Sequence, residues 1–417
     1  MVLSTETCSN KMNGSEIHIR IGIVDDFSKY TYGLLNALYE LICEGKTHAD
    51  VLFLAPTWIF GKPRLGLDTL FLKSKISQKI IRSWNSLNFF LKIPLTVLKH
   101  RTNVLHIQYE YTTFGHPYIS LPLSFAMLIL LYMLKLLRRV AIIVTLHRFD
   151  SKSLMDKIVS SFVALIADTI IVHAEFIKRD LANYLMYKKP RLQITVINHG
   201  NYYSEDHCKA RRIFNKPVFI FFGTISPRKG LHILLDAFKE LCLVKHPELK
   251  HHCRLYIAGY VPAYAKKYGD LITKIINHLQ EQGLKVKYFG AIPENLIPKL
   301  FELEAIAVFP YVEMNMASGA LHHAIGHCMP IIATKTKYFE EVFRSGGALL
   351  VKPQSVEELL YAMEELLFSE ETRTRILRDL YQLIQKFSWY ESAKRHIYVY
   401  LKTVKLVSQY GCTKKWK

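Results

Sequence analysis

Short apolar runs of strand length alternate with longer segments of helical length along most of the chain. We predict buried strands at Ile17–Val24, Ala49–Ala55, Asn103–Gln108, Val140–Thr145, Ala167–His173, Ile194–Asn198, Val218–Phe222, Cys253–Ala258, Val286–Phe289, Ala305–Pro310 and Pro330–Thr334. A continuous apolar run is typical of a strand covered on both faces, and strands that alternate with helices form parallel sheets. The pattern therefore predicts an α/β protein.

The chain of 417 residues is long enough for two domains of ordinary size. A polar, charged stretch that ends just before Val218 separates two groups of strands and is the predicted linker. We predict five segments: a disordered or extended N-terminus at 1–16, a first Rossmann-like domain at 17–203, the linker at 204–217, a second Rossmann-like domain at 218–387, and a helix with a basic tail at 388–417.

Two segments of the first domain suggest contact with a membrane. Thr69–Arg101 mixes Lys and Arg with Leu, Ile and Phe. It either lies on an anionic membrane surface, which we expect, or forms an ordinary solvated helical face. Tyr118–Leu137 is mostly apolar and about 20 residues long, so it just reaches the length of a membrane span. Because Pro117 and Pro122 interrupt its start and a strand follows at once, we expect a buried or membrane-dipping helix instead.

The overall charge and the cysteines restrict the partners and the compartment. The formal net charge of +20 favours acidic partners, namely nucleotides, anionic lipid headgroups or nucleic acid. We expect no nucleic acid, because no recognised binding module accompanies the charge. The seven cysteines are scattered without a C-x-x-C pair, which is typical of the reducing cytosol. Met1–Ser15 is polar and lacks the apolar core of a signal peptide, so we expect a cytoplasmic protein.

The stretch Val308–Val342 has the strongest pattern for a binding site. A buried strand leads into a polar loop, then a short helix, then a second buried strand. A helix that begins there presents free backbone N–H groups at the carboxyl edge of a parallel sheet, where open α/β sheets bind anions. The pattern predicts an anion or nucleotide site whose loop carries Glu313, Asn315, Ser318 and Gly319.

The order P-Y-x-E-x4-S-G-A-L-H-x-A-I-G-x-x-M-P-I-I-A-T within this stretch resembles the donor-sugar loop of retaining GT-B glycosyltransferases, glycosyltransferase family 4 or glycosyl transferases group 1. The resemblance implies two Rossmann-like domains that face a cleft, with a C-terminal helix that crosses back onto the first domain. The family's two usual acidic positions are occupied here by Asn315 and His323. Glu313 is the nearest carboxylate, and we expect it to bind the donor sugar in the cleft; otherwise it is a surface glutamate.

Further motifs carry the same resemblance. The strand before Gly223 continues into a turn that ends in Arg228, Lys229 and Gly230, which resembles the family's diphosphate-binding turn. The turn G-A-I-P, with Gly290 and Ile292, resembles the site of the nucleotide base. V-T-L-H places His147 at a strand end facing the cleft, where it would bond a sugar hydroxyl or the acceptor; the alternative is a local backbone bond.

These similarities imply transfer of a sugar from a nucleotide-diphosphate sugar to a glycan or polyprenyl-linked acceptor, with retention of configuration. No D-x-D motif occurs, so we expect cations and helix dipoles, not a metal or another cofactor, to stabilise the leaving diphosphate. We further expect peripheral association with the cytoplasmic membrane face. Two alternatives stay open: a nucleotide-sugar epimerase of the same fold, and a non-catalytic subunit at the membrane surface.

Overall fold

The structure is a computed structural model that describes residues 19–24, 29–44, 49–56, 79–84, 89–109, 117–138, 140–185, 192–201, 217–293, 296–314 and 316–412. The predicted N-terminal segment 1–16, nearly all of the predicted linker 204–217, and Asn315 lie outside the described residues.

Seven parallel strands form the first sheet, in the order β3-β2-β1-β4-β5-β6-β7. They are β1 Ile19–Val24, β2 Ala49–Pro56, β3 Lys79–Trp84, β4 Val104–Tyr109, β5 Ala141–Leu146, β6 Thr169–Val172 and β7 Gln193–Val196. Strands β2 and β3 lie on one side of β1 and β4–β7 lie on the other, so the switch point is between β1 and β4, as in a doubly wound sheet with helices on both faces.

Six parallel strands form the second sheet, in the order β10-β9-β8-β11-β12-β13. They are β8 Val218–Phe222, β9 Arg254–Ala258, β10 Lys285–Tyr288, β11 Ile306–Phe309, β12 Ile331–Thr334 and β13 Leu349–Val351. The switch point of this sheet lies between β8 and β11. Each sheet therefore offers a ligand crevice at the carboxyl ends of its strands.

Helices connect these strands and cover both sheets. They are α1 Lys29–Cys43, α2 Phe89–Lys99, α3 Pro117–Arg138, α4 Leu154–Ile166, α5 Glu175–Leu185, α6 Leu231–Glu240, α7 Lys266–Glu281, α8 Ile297–Phe301, α9 Gly319–Gly326, α10 Lys337–Val342, α11 Val356–Phe368, α12 Glu370–Lys386 and α13 Trp389–Cys412. Several start at a side-chain cap; Ser153, for example, accepts a hydrogen bond from the N–H of Asp156.

The structure confirms the predicted fold class, two parallel-sheet α/β domains, and each predicted strand overlaps an observed one. Sequence reasoning missed β3 and β13. The alternative of one solvated helical face for Thr69–Arg101 is wrong, because Lys79–Trp84 is an edge strand and only Phe89–Lys99 of the described part is a helix. The positive charge of this segment hid a short strand that contains two β-branched isoleucines.

The C-terminal helix crosses back onto the first domain, as predicted. Side chains of α13 share a buried cluster with β1 and α1. The hydroxyl of Tyr400 lies 2.7 Å from Nδ1 of His106 on β4, and the hydroxyls of Thr403 and Thr169 are 2.9 Å apart. The chain's last helix therefore joins the two domains through the core of the first.

The apolar segment Tyr118–Leu137 is helix α3, which packs between α2 and α4. One side is buried, with Met127, Leu128 and Leu131 almost inaccessible to solvent, whereas Ile129 is 53% exposed. None of the helices in the described part of the chain has both the length and the apolar character needed to cross a bilayer.

Several contacts join the two domains across the cleft. Arg148, just after β5, forms an antiparallel bridge with Met316 in the loop before α9. The carboxylate of Glu341 on α10 accepts hydrogen bonds from the backbone N–H groups of Glu175 and Phe176, at 2.6 and 3.0 Å. Glu341 thus caps the first turn of α5 in the other domain, where negative charge stabilises the helix dipole.

Candidate active site

Glycine residues allow three backbone segments to approach closely where β8 and β9 end. Gly223 follows β8 with φ 143° and its N–H donates to the carbonyl of Ala258 at 3.0 Å. A Cβ on Gly259 would overlap the carbonyl oxygen of Gly223. This edge of the second sheet therefore requires glycine, and it exposes backbone instead of side chains to a ligand.

The basic turn after Gly223 is built by a short 3-10 segment, Pro227–Lys229, which ends at Gly230 in the left-handed region with φ 65°. A Cβ on Gly230 would overlap the carbonyl oxygen of Pro310, which precedes the donor-type loop. The carbonyl of Arg228 accepts the N–H of Val312 at 2.9 Å. The turn and the loop are thereby held side by side.

Lys229 is buried against the ring of Tyr311. Its Nζ lies 3.5 Å from the ring centroid, a cation–π contact. No carboxylate among the described residues pairs with this ammonium group, and Arg228 beside it is a second cation. Burial, and next the charge of Arg228, hold the pKa of Lys229 well below its usual value. An anion bound here would reverse that shift, since it would stabilise the charged form.

Helix α9 begins beside this lysine. The side chain of Ser318 caps the helix by accepting from the N–H of Leu321, and Gly319 is the first helical residue. The Ser318 hydroxyl also lies 3.4 Å from the hydroxyl of Tyr311, whose pKa is raised to about 12 by burial. Lys229, Tyr311 and the start of α9 thus form one continuous surface that can neutralise an anion.

Glu313 lies next to the basic turn, because its N–H donates to the carbonyl of Arg228 at 3.4 Å. Its side chain is exposed, whereas the sequence led us to expect a buried carboxylate. A contact between Glu313 and the donor sugar remains a prediction.

The two adjacent histidines of α9 point to different surroundings. His323 is buried in the second domain, where its ring stacks on Phe301 at 5.4 Å and meets Phe222 edge-on at 5.9 Å. His322 instead lies at the junction of the domains: its Nδ1 is 2.8 Å from Oδ1 of Asn201 and its Nε2 is 2.8 Å from the hydroxyl of Tyr338. Only His322 therefore joins residues from both sides.

His147 is half-buried at the end of β5 and belongs to a chain of polar side chains. Its Nε2 lies 2.9 Å from Oε1 of Gln108, and its Nδ1 lies 3.3 Å from Nε2 of His173. His173 in turn donates from Nδ1 to the carbonyl of Ile197 at 2.8 Å. Both ring nitrogens of His147 thus lie within hydrogen-bonding distance of side chains.

The chain of histidines continues to the second domain. The ring of His199 stacks on that of His322, with centroids 4.6 Å apart and 19° between the planes. Burial lowers the pKa of every member, to about 4 for His173 and about 3 for His199, and well below the usual value for His147 and His322. Neighbouring histidines add to the shift in His147, His199 and His322. At neutral pH this edge of the cleft is therefore uncharged.

The predicted base site lies at the end of β10. Gly290 has φ 66° and its carbonyl accepts the N–H of Gly259 at 2.8 Å, while Ile292 is partly buried against the core. Phe289 is 39% exposed, and Nζ of Lys287 lies 4.8 Å from its ring centroid. The turn is near the glycine-rich edge, so Gly290 and Ile292 share that edge with Gly223.

Sequence reasoning missed four side chains that shape these surfaces: Tyr311, Gln108, His199 and Tyr338. Tyr311 lies within the motif of the donor-type loop, but its role depends on its contact with Lys229, which lies in the turn after β8. In the described part of the chain, no group of three or more His, Cys, Asp or Glu side chains has the geometry to hold a metal ion.

Two domains with facing sheet edges, one of them cationic, resemble several solved structures. Anabaena Alr3699/HepE, solved in complex with UDP and glucose, has a TM-score of 0.65 and 15% identity over 92% of this chain and 99% of that chain. Sucrose-phosphate synthase from Thermosynechococcus elongatus also has a TM-score of 0.65 and 15% identity, over 92% and 98% of the two chains. The chain is a protein of the GT-B fold.

The family model of glycosyl transferases group 1 matches residues 204–381. The match covers most of the second domain and none of the first. Among curated proteins, it is 22% identical to spore coat protein SA of Bacillus subtilis over 213 residues, 49% of this chain and 54% of that protein. It is 23% identical to lipopolysaccharide 1,2-N-acetylglucosaminetransferase of Salmonella typhimurium over 241 residues, 54% of this chain and 60% of that protein. The matches thus span less than two thirds of either relative.

Proposed function

We propose that the chain transfers a sugar from a nucleotide-diphosphate sugar to a glycan or polyprenyl-linked acceptor, with retention of configuration. The observation that carries the proposal is the unpaired, buried ammonium group of Lys229 beside the start of α9. A buried charge without a counter-ion is costly unless a ligand supplies one. A donor diphosphate is the anion that a group 1 glycosyltransferase domain would bring to this position.

In the proposed reaction the bond between the sugar's anomeric carbon and the diphosphate breaks, and the electron pair leaves with the diphosphate oxygen. The acceptor hydroxyl bonds to the same face of the sugar, and its proton passes to the departing phosphate. Arg228, Lys229 and the free N–H groups at Ser318 and Gly319 stabilise the charge that develops on the leaving group. With these cations in place we propose that no metal takes part, so EDTA leaves the rate unchanged.

We assign the sugar to the space between Glu313 and the first-domain edge at His147. Sugar hydroxyls need hydrogen-bond acceptors, which a carboxylate supplies well. His147 is neutral and bonded to Gln108 and His173, so its proposed role is to hold this edge of the sugar site in shape instead of supplying a proton. Asn315 and His323, in the usual acidic positions, and the turn of Gly290 and Ile292 complete the proposed donor site.

The test is a donor screen by nucleotide release, with UDP-sugars first because Anabaena Alr3699/HepE was solved with UDP and glucose. We expect release that increases when a polyprenyl-linked or glycan acceptor is added, and a product that keeps the anomeric configuration by NMR. If none of the donors gives nucleotide release, the proposal is contradicted. A donor that changes its sugar stereochemistry without any release would instead identify an epimerase, and binding without turnover a non-catalytic subunit.

A further inference from the structure

Helices α2, α3 and α4 cover one face of the first sheet, and their outer sides carry large apolar side chains in water. Each of these side chains is at least 36% exposed: Leu91, Leu95, Ile129, Tyr132, Met133, Leu154, Met155, Ile158, Phe162 and Leu165. We name this set the outer apolar face. Single exposed apolar residues are ordinary on proteins, but a continuous patch marks an interaction site.

Helix α4 shows the pattern most clearly. Its inner side buries Val159, Val163 and Ile166 against the core. Its outer side repeats apolar residues at helical spacing, from Leu154, which is 72% exposed, to Leu165, which is 56% exposed. An ordinary surface helix has a polar outer face. A helix that is apolar on both sides has a second partner beyond its own core.

The outer apolar face is continuous across the three helices, because α2 packs against α3 and α3 against α4. The rings of Phe125 on α3 and Phe162 on α4 have centroids 4.4 Å apart, which joins the two stripes. Ile129 and Met133 extend the stripe of α3 by one turn each from Phe125. The outer apolar face is therefore one patch that extends over the three helices.

The exposed charged side chains on the three helices have one sign. Helices α2 and α3 contain no Asp or Glu, and the single acid of α4, Asp156, is 2% exposed and bonded to Arg148 and Ser153. Basic side chains stand at the margins, at Lys99, Arg101, Lys152 and Lys157. Two copies of this surface would repel each other, whereas an anionic lipid surface complements both the apolar centre and the basic margin.

We propose that the outer apolar face docks on an anionic lipid bilayer, with the three helices lying in the plane of the membrane surface. Interfacial helices bury an apolar side among the acyl chains while basic residues contact the headgroups. Helices α3 and α4 both begin on the side of the sheet where β4 and β5 end, so docking holds the cleft beside the membrane. This deepens the proposed function, since a polyprenyl-linked acceptor would then reach the cleft from the bilayer.

The experiment compares two double variants of the full chain on vesicles. Leu154→Glu with Leu165→Glu places charge on the outer apolar face, at residues too exposed to hold the core together. Leu271→Glu with Tyr361→Glu is the matched control in the second domain, at side chains 50% and 66% exposed. Co-flotation is measured with neutral phosphatidylcholine vesicles and with vesicles that also contain phosphatidylglycerol.

We expect the wild type and the control to float with the anionic vesicles and the α4 variant to lose roughly tenfold or more of its partitioning. Salt should weaken binding only in part, because the apolar contact is not screened. Equal flotation of both variants would overturn the proposal. A dimer in sedimentation that the α4 variant dissociates, without vesicle binding, would show instead that the face joins two copies. Nucleotide release from a soluble acceptor reports the proposed function independently, because it does not require vesicles.

Discussion

At the first-domain edge of the cleft the polar side chains bond one another, whereas at the second-domain edge Lys229 rests on an aromatic ring without a counter-ion. His147, Gln108 and His173 occupy each other's hydrogen-bonding groups. Lys229 contacts Tyr311 and has only another cation, Arg228, as its charged neighbour. The side chains of the first-domain edge bond one another without a ligand. The second-domain edge instead holds a buried ammonium group that no carboxylate of the described residues neutralises.

The difference separates two tasks of a donor site. A neutral, internally bonded edge keeps its shape, which suits an uncharged sugar. A desolvated cation gains most from an anion that arrives with its charge, which suits a phosphate. The predictions below therefore ask whether the first edge depends on staying neutral and whether the second depends on its charge.

Lowering the pH should have the largest effect, because it tests whether the first edge depends on neutral histidines. In the folded chain burial lowers the pKa of His173 to about 4 and of His199 and His396 to about 3, while an unfolded histidine takes up its proton near 6.5. Below pH ~6.5 the unfolded state thus binds more protons, and stability falls as the pH falls toward about 4 and then 3. Each such histidine contributes up to about 1.4 kcal/mol per pH unit in this window.

We expect the free energy of unfolding, measured in urea between pH 7 and pH 4.5, to fall with a slope of several protons. The variant His396→Gln should lower that slope by about one proton. His251→Gln, at an exposed position, is the control for the substitution itself. A flat profile in the wild type would show that these histidines are already charged or solvated in the folded chain.

The charge of the second edge is tested at Lys229. Lys229→Ala should lower donor affinity by about 2–3 kcal/mol, roughly thirtyfold to more than a hundredfold, as expected for charged hydrogen bonds to phosphate. Lys229→Met keeps the side chain's packing on Tyr311 and removes the buried charge, so its melting temperature without ligand should match or exceed that of the wild type. Calorimetric titration with the donor and thermal melts measure the two effects.

Lys239→Ala, an exposed lysine on the next helix, is the matched control and should bind the donor normally. Wild-type donor affinity in Lys229→Met would remove the phosphate role of this lysine. A large loss of stability in the same variant would show that the ammonium group holds the fold together instead of waiting for a ligand.

The second edge was largely predictable from sequence because its parts are local. The turn from Gly223 to Gly230 lies between one strand and the helix that follows, and the start of α9 is marked by Ser318 and Gly319. The first edge was not, because its contacts join distant positions. His322 and Asn201 are 121 residues apart, and nothing near either residue indicates the other.

Strand assignment failed for a different reason. β3 is an edge strand whose lysine and arginine dominated the pattern, and β13 has only three residues, too few for a period to show. The exposure of a loop residue was equally hard to predict: the sequence identified Glu313 as the nearest carboxylate of the loop, but only the packing of the loop decides that its side chain is exposed. Local chemistry could thus be predicted where long-range packing could not.

A smaller effect is expected at Glu313, the carboxylate proposed to bind the donor sugar. Glu313→Gln keeps the size of the side chain and removes its charge, and we expect kcat to fall roughly tenfold, about 1.4 kcal/mol, with donor affinity little changed. The neighbouring control is Glu304→Gln, an exposed residue before β11. Steady-state rates with saturating donor provide the measurement. Full activity in Glu313→Gln would leave the sugar hydroxyls to neutral side chains of the loop and of the first edge.

The smallest effect is expected at Glu341, whose contact with α5 fixes the distance between the two edges. Glu341 accepts from two backbone N–H groups at the start of α5, in the other domain, while Glu340 beside it is exposed. Glu341→Gln removes the charge at that helix start and one acceptor oxygen, which should cost about 1 kcal/mol and lower the melting temperature by about 2–4 °C. Glu340→Gln is the control and should leave it unchanged. If the two edges act on one substrate, loosening this cap should also raise KM for the acceptor more than for the donor, because the groups proposed to bind the donor's diphosphate lie on the second edge alone. An equal rise in both KM values would mean that the second edge does not bind the donor without help from the first.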